Sequence, residues 1–169
     1  MSERIQNSPT MPGILQRQLT KSVLMLYDII NQCPEDCWSA DDDIAPVWQQ
    51  VYHAAYSLNA WVRDLSKDVI APAFHSPEAQ QLVKGAGPVI TREQMLEYLK
   101  KVHADCNSFL HGLTLESLTH EEEVCGRMWS PADRVIGQIR HVQHHIGAIH
   151  CVLRRDANVS LRWIGLVDV

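Results

Sequence analysis

The chain has 169 residues, of which 46% are hydrophobic and 21% are charged, and its formal net charge is -5 at pH 7. This length suits one well-packed domain, and the apolar content is too high for a disordered chain. The acidic balance argues against nucleic acid as the partner, because a protein that binds polyanions needs a basic field to displace counterions.

Two segments with helical spacing of apolar residues come first along the chain. The first predicts a helix over residues 14–31, which Pro34 ends. The second predicts a helix over residues 46–65 that starts at Pro46, a residue suited to a first turn. The connection that follows, residues 66–89, contains three prolines and two glycines. A connection of this length in a compact domain is often a functional lid that closes over a site, and otherwise a disordered segment.

Two further helices begin at capping motifs. Thr91 and Gln94 have the spacing of a capping box and start a helix predicted over residues 91–114. Ser130 caps the last helix, predicted over residues 131–156, with a proline and an aspartate in its first turn.

Four long amphipathic helices and no convincing alternating strand pattern predict an all-α fold, a four-helix bundle formed as a single domain by residues 1–169. No apolar stretch is long enough to span a bilayer and no signal peptide is visible. We therefore expect a cytoplasmic protein without a membrane partner. The sequence leaves the oligomeric state open, including a homodimer.

The segment "RHVQHHIGAIH", residues 140–150, holds four of the nine histidines. Positions four apart on a helix differ by roughly 40° in azimuth, so His141 and His145 lie one above the other and can share a divalent ion. A third ligand must come from a facing helix, and His53 in the second helix is the obvious donor. His144 and His150 lie roughly 60° and 180° from His141, so the four cannot all face one ion.

A purely structural interpretation stays open beside the metal site. The apolar arc of the last helix places His141 and His145 at the border of the core. His53 falls on a polar stripe with Gln49, Ser57 and Asp64, and such stripes are usually solvated faces.

Other metal sites are weaker candidates. A di-iron bundle requires glutamates three residues before its histidines, and none precedes a histidine here by three. The cysteines are odd in number and scattered, which fits small, reduced, buried thiols better than zinc ligands. They are Cys33, Cys37, Cys106, Cys125 and Cys151.

Three segments resemble the DinB/YfiT-like superfamily. "HVQHHIGAI" (residues 141–149) is similar to the signature of its last helix, and "VWQQVYHAAYSL" (residues 47–58) to its second helix. "LRWIG" (residues 161–165) is similar to a tail found in many members. This chain departs from the family at residues 146–148, where Ile-Gly-Ala replaces the Arg-Gly-Gln of many relatives.

The resemblance implies an antiparallel, up-down-down-up bundle with a divalent metal ion, often zinc or nickel. Carried over to this sequence, the ligands are His53, His141 and His145, and His144 is a non-ligand histidine. Known relatives include thiol-dependent S-transferases and an isomerase that uses a low-molecular-weight thiol. The resemblance thus implies a small-molecule substrate and a thiol that the ion holds as thiolate.

Three functions are compatible with the sequence: a thiol-dependent transferase, a metal-dependent hydrolase, and a non-enzymatic stress-response or ligand-binding protein with a structural ion. No catalytic residue can be assigned, although the third predicted helix offers candidate bases. These are His103, Asp105 and His111. Four aromatic residues are candidates for a pocket or for the core: Tyr52, Tyr56, Trp61 and Trp129.

Overall fold

The computed structural model describes residues 10–41 and 45–165. The two ends of the predicted single domain, residues 1–9 and 166–169, lie outside this part of the chain. The elements in chain order are α1 (Met11–Gln32), α2 (Glu35–Trp38), α3 (Val47–Trp61), α4 (Pro77–Gln80), α5 (Arg92–His111), α6 (Leu115–Thr119), β1 (Glu122–Val124), β2 (Arg127–Trp129) and α7 (Pro131–Ala157). Most of these residues are helical, which confirms an all-α fold.

A short hairpin precedes α7, although the sequence predicts no strand. β1 and β2 pair antiparallel, with Val124 opposite Arg127. The two turn residues, Cys125 and Gly126, both have positive φ, at 52° and 75°. Turns with positive φ at both central positions match the twist of a hairpin, and a glycine adopts such a φ without steric cost. Strands of three residues are too short to show an alternating pattern, which is why the sequence did not reveal them.

The capping motifs have the predicted geometry. The Thr91 hydroxyl accepts from the Gln94 backbone N–H, and the Gln94 side chain accepts from the Thr91 backbone N–H. Ser130 and Asp133 form the same reciprocal pair at the start of α7. Each box satisfies two backbone donors that a helix N-terminus leaves without partners.

α3 ends four residues before the end predicted from its apolar pattern. Its last residue is Trp61, and Val62 leaves helical geometry at φ -100° and ψ 67°. The Arg134 guanidinium of α7 donates hydrogen bonds to the carbonyls of Trp61 and Arg63. Those carbonyls have no intrahelical partner, so a cation from α7 satisfies them where the helix stops.

The four long helices enclose the core. α1 contacts α5 and α7 along its length, and α3 contacts the same two helices. The apolar faces of all four meet in one hydrophobic cluster, in which the largest fully buried side chains include Leu19, Leu26, Tyr52, Leu58, Leu99 and Ile149. α3 and α7 are neighbours, which brings the histidines of both helices within reach of one another.

The connection over residues 66–89 is docked on α3. Its short helix α4 packs against α3, and the Tyr52 hydroxyl lies 2.6 Å from His75 Nδ1. The His75 ring stacks on Tyr56, with ring centroids 4.9 Å apart and planes at 13°. Aromatic contacts of this kind bury apolar area and fix the connection against the core.

The exposure of the five cysteines agrees only in part with the prediction. Cys33, Cys37 and Cys106 are buried, as expected, whereas Cys125 and Cys151 are exposed, which corrects that part of the prediction. Cys125 lies in the hairpin turn, where a tight turn leaves no neighbouring element to cover the thiol. Within residues 10–41 and 45–165, no helix has the length and apolarity needed to cross a membrane.

Candidate metal site

Three histidines from two helices converge on one point. His53 belongs to α3, and His141 and His145 stand one turn apart on α7. The Nε2 atom of His141 lies 2.9 Å from Nε2 of His53 and 3.2 Å from Nε2 of His145. The nearest ligand atoms of all three residues lie within 4.8 Å of one another.

A backbone carbonyl fixes the tautomer of His53. Its Nδ1 lies 2.5 Å from the carbonyl oxygen of Gln80, at the end of α4. Because a carbonyl can only accept, Nδ1 of His53 carries the hydrogen and donates it. The lone pair of a neutral His53 ring is therefore on Nε2, which points at the other two histidines. Metal-binding histidines in proteins are oriented by the same kind of contact.

Burial keeps the two α7 histidines neutral. The pKa of His141 is lowered to about 4 and that of His145 to about 3. Desolvation is the larger cause at both rings, and the neighbouring His53 adds to it. A neutral imidazole is the form that coordinates a metal, so these rings are available as ligands throughout the neutral pH range.

The donor set fits a divalent transition metal. With metal–nitrogen bonds of about 2.0–2.1 Å, three ligands of a tetrahedral ion stand about 3.3 Å apart, close to the two short distances here. The Nδ1 atoms of His141 and His145 are buried without a hydrogen-bond partner. No other histidine, cysteine, aspartate or glutamate of residues 10–41 and 45–165 joins this group. The group could hold an ion through three nitrogens, leaving further coordination positions open.

The remaining histidines near the site occupy other surroundings. His144 is exposed, with its ring centroid 5.2 Å from that of His145, and His150 is half-buried on another side of α7. This agrees with the azimuths expected from helical geometry. His103 on α5 lies with its ring centroid 6.5 Å from that of Tyr27 on α1, and it is not part of the three-histidine group.

A cavity of about 350 Å³ opens beside the histidines. Its lining comprises His53, Ser57, Trp61, Trp129, Asp133, Arg134, Gly137, Gln138 and His141. The sequence-based candidates divide clearly here: Trp61 and Trp129 line the cavity, whereas Tyr52 is buried in the core. None of the candidate bases His103, Asp105 and His111 lines it.

No residue of the connection 66–89 lines this cavity in the described structure. The connection meets the site from the opposite side of the His53 ring, through the Gln80 carbonyl. The expectation of a lid that closes over the open side is therefore not supported by this arrangement. The connection instead orients the candidate ligand His53 through the hydrogen bond between His53 Nδ1 and the Gln80 carbonyl.

Sequence reasoning missed two polar residues near the site. Gln138 lines the cavity, and its Oε1 is buried without a hydrogen-bond partner. Gln49 was placed on a stripe that is usually solvated, yet only 1% of it is exposed. The available signal was its spacing: Gln49, His53 and Ser57 follow one another at intervals of four along one face of α3.

One known protein family matches most of the chain. A search of curated proteins found no match for the chain. A family model of the DinB superfamily matches residues 19–149, which is more than half of the chain and includes all three converging histidines. The chain belongs to the DinB superfamily.

Proposed function

We propose that the protein is a metal-dependent enzyme that joins a low-molecular-weight thiol to an electrophilic small molecule. His53, His141 and His145 hold one divalent ion, zinc or nickel, in this proposal. The observation that carries it is the convergence of three Nε2 atoms beside an open cavity. The contacts of the four long helices also support the four-helix bundle that the resemblance implies.

The cavity favours an enzyme over a protein with a structural ion. Structural zinc sites are closed by four protein ligands, whereas catalytic sites keep three and leave a position for substrate. The described part of the chain offers three ligands, and two of them line the cavity. The open position thus faces a space large enough for a small molecule.

The polar groups of the cavity are compatible with a thiol as the nucleophile. Besides two histidines, the cavity lining contains the charged residues Asp133 and Arg134. Of these two, only the Asp133 carboxylate can accept a proton. The Asp133 carboxylate accepts hydrogen bonds from the hydroxyl and the backbone N–H of Ser130, which lower its pKa. It is thereby committed to capping α7. A thiol loses its proton readily near neutral pH, and a bound divalent ion lowers its pKa further, so the thiol reaction needs no general base from the lining.

The chain's own residues then have separate tasks. A bound divalent ion supplies positive charge that lowers the pKa of a neighbouring thiol. Trp61 and Trp129 form apolar walls, and Gln138 offers a free amide oxygen to a donor of the substrate. The sulfur forms a bond to the electrophile, whose leaving group departs with the bonding electron pair. The thiol proton passes to solvent.

The test uses the metal-loaded protein with a panel of cellular thiols and a chromogenic electrophile. We expect a rate above the uncatalysed reaction for at least one thiol. His145→Ala, which removes one of the three nitrogens, should abolish that rate, and His144→Ala should retain it. Equal rates for the wild type and His145→Ala would refute the proposed chemistry.

A further inference from the structure

Two residues of α3 bind the same short turn. Gln49 and His53 are four apart and therefore lie on one face of the helix. The Gln49 amide Nε2 lies 3.0 Å from the Val83 carbonyl oxygen and 3.4 Å from that of Ala79. His53 Nδ1 lies 2.5 Å from the carbonyl oxygen of Gln80, which stands between these two acceptors in the chain.

The turn cannot hold this carbonyl in place by itself. α4 has only four residues, and an isolated helix of that length is not stable in water. Its N-terminus is capped by the Ser76 hydroxyl, which accepts from the Ala79 backbone N–H at 3.1 Å. Beyond Gln80 the backbone turns sharply, and Leu82 has a φ of 58°, an unfavourable value for a leucine. Backbone hydrogen bonds within the turn, such as that from the Val83 N–H to the Glu78 carbonyl, shape it locally but do not tie it to α3. A contact from α3 is needed to fix the Gln80 carbonyl relative to His53.

We propose that Gln49 is a positioning residue for the metal centre. It ties α4 to α3, so that the Gln80 carbonyl stays in line with His53 Nδ1–H and the His53 lone pair stays aimed at the ion. This inference rests on the proposed role of His53 as a ligand. Gln49 is not among the residues that line the cavity, and its amide donates to the turn, so it acts on His53 through the turn.

The burial of Gln49 supports a structural role for its side chain, since a buried amide does not contribute to solubility. A side-chain amide that is 99% buried costs free energy unless its hydrogen bonds are made, and here they go to the carbonyls on both sides of Gln80. Removing the donor leaves those carbonyls without this partner and frees α4 to shift. His53 then loses its fixed acceptor and exchanges between its two neutral tautomers.

The neighbouring residue provides a matched control. Gln50 is also buried, at 4% exposure, and its amide donates to the Ala45 carbonyl at 2.8 Å. Gln49→Met and Gln50→Met thus each remove one buried glutamine that donates to backbone carbonyls, on the same helix. Only Gln49→Met removes a hydrogen bond to the turn that carries the acceptor of His53.

The experiment measures zinc affinity by competition with a chromogenic chelator. Loss of a contact that orients a metal ligand typically costs 10–100-fold in affinity, so we expect a loss of about that size in Gln49→Met and wild-type affinity in Gln50→Met. Ser76→Ala, which weakens the cap of α4, should lower affinity by a smaller factor and serves if Gln49→Met does not fold. Equal affinities in Gln49→Met and Gln50→Met would overturn the inference.

A second measurement separates this inference from the proposed function. Nitrogen-15 NMR of the metal-free protein reports which ring nitrogen of His53 carries hydrogen. We expect the Nδ1–H form in the wild type and Gln50→Met, and a mixture in Gln49→Met. If no variant binds metal, the proposed function fails, yet this pattern would still support Gln49 as the residue that positions His53. An unchanged tautomer in Gln49→Met would overturn it.

Discussion

His53 Nε2 lies 2.9 Å from His141 Nε2, although the two residues are 88 positions apart in the chain. His141 Nε2 also lies 3.2 Å from Nε2 of His145. A single hydrogen on His141 Nε2 can serve only one of these contacts. A cation at the centre of the three nitrogens would satisfy all of them through their lone pairs, which is the physical reason to regard the group as a metal site.

The first prediction concerns metal content. The wild type should take up about one zinc or nickel ion per chain, and His53→Ala, His141→Ala or His145→Ala should each reduce uptake to background, because two nitrogens hold an ion poorly. Elemental analysis after dialysis against the metal gives the ratio. At an ion concentration about 100 times the dissociation constant, the wild-type Tm should rise by roughly 5–10 °C.

The control for this prediction is on the same helix. His144 is exposed and one position from a candidate ligand, so His144→Ala should keep both the ion and the rise in Tm. A protein that loses its metal with His144→Ala but keeps it with His141→Ala would show that the assigned set of ligands is wrong.

The sequence revealed only part of this site. The spacing of His141 and His145 on one helix predicts that they lie together, because the geometry of a helix is local. The position of His53 opposite them depends on how α3 packs against α7, which its polar stripe left open. The acceptor for His53 is a backbone carbonyl, and a carbonyl of Gln80 has no distinguishing sequence signal. Family resemblance, not periodicity, favoured the full set of three.

The second prediction concerns the pH dependence of the metal-free protein. The folded-state pKa values of His141 and His145, about 4 and 3, lie below the ordinary value of about 6.5. The unfolded state therefore binds more protons between these limits, and stability falls as the pH drops from about 6.5 towards 4. Urea unfolding at several pH values in the presence of a chelator measures this slope.

Two variants test the origin of the slope. The double change His141→Gln and His145→Gln removes both buried imidazoles and should flatten the dependence between pH 6.5 and 4. His144→Gln removes an exposed imidazole on the same helix and should leave it nearly as in the wild type. A slope that survives the double change would assign the acid sensitivity to other groups.

The third prediction concerns the contact between α7 and the end of α3. Arg134 is 4% exposed, and its guanidinium donates to the carbonyls of Trp61 and Arg63. Arg134→Met removes both charge-assisted hydrogen bonds and leaves the carbonyls without these donors. We expect the free energy of unfolding to fall by about 2–4 kcal/mol. Denaturant titration measures the change.

Arg63→Met is the matched control, since its guanidinium donates to carbonyls close in sequence and its side chain is only partly buried. A loss below about 1 kcal/mol is expected there. Similar losses in both variants would contradict the role assigned to Arg134.

Local sequence patterns predict the long helices but not the end of α3 or the short hairpin. The apolar spacing and the capping residues Thr91 and Ser130 predict long helices, because both signals act within a few residues. The end of α3 depends on Arg134, 73 positions from Trp61, which no local pattern contains. The short hairpin is likewise not predicted by a local pattern. It places Trp129 in the cavity, and this outcome depends on where the hairpin packs.

The last prediction concerns Trp129 and the use of the cavity. Its indole lines the cavity beside His53 and His141 but offers no ligand to an ion. Trp129→Ala should therefore keep the metal content of the wild type and raise the KM for the electrophile or thiol by about tenfold, since a buried aromatic wall contributes more than 1 kcal/mol to binding. Steady-state kinetics of the metal-loaded protein measures this effect. Trp163, which is 71% exposed in the tail, provides the control, and Trp163→Ala should leave KM unchanged. If Trp129→Ala and Trp163→Ala have the same KM, the substrate does not occupy this cavity, and the open side of the three histidines must be approached from another direction.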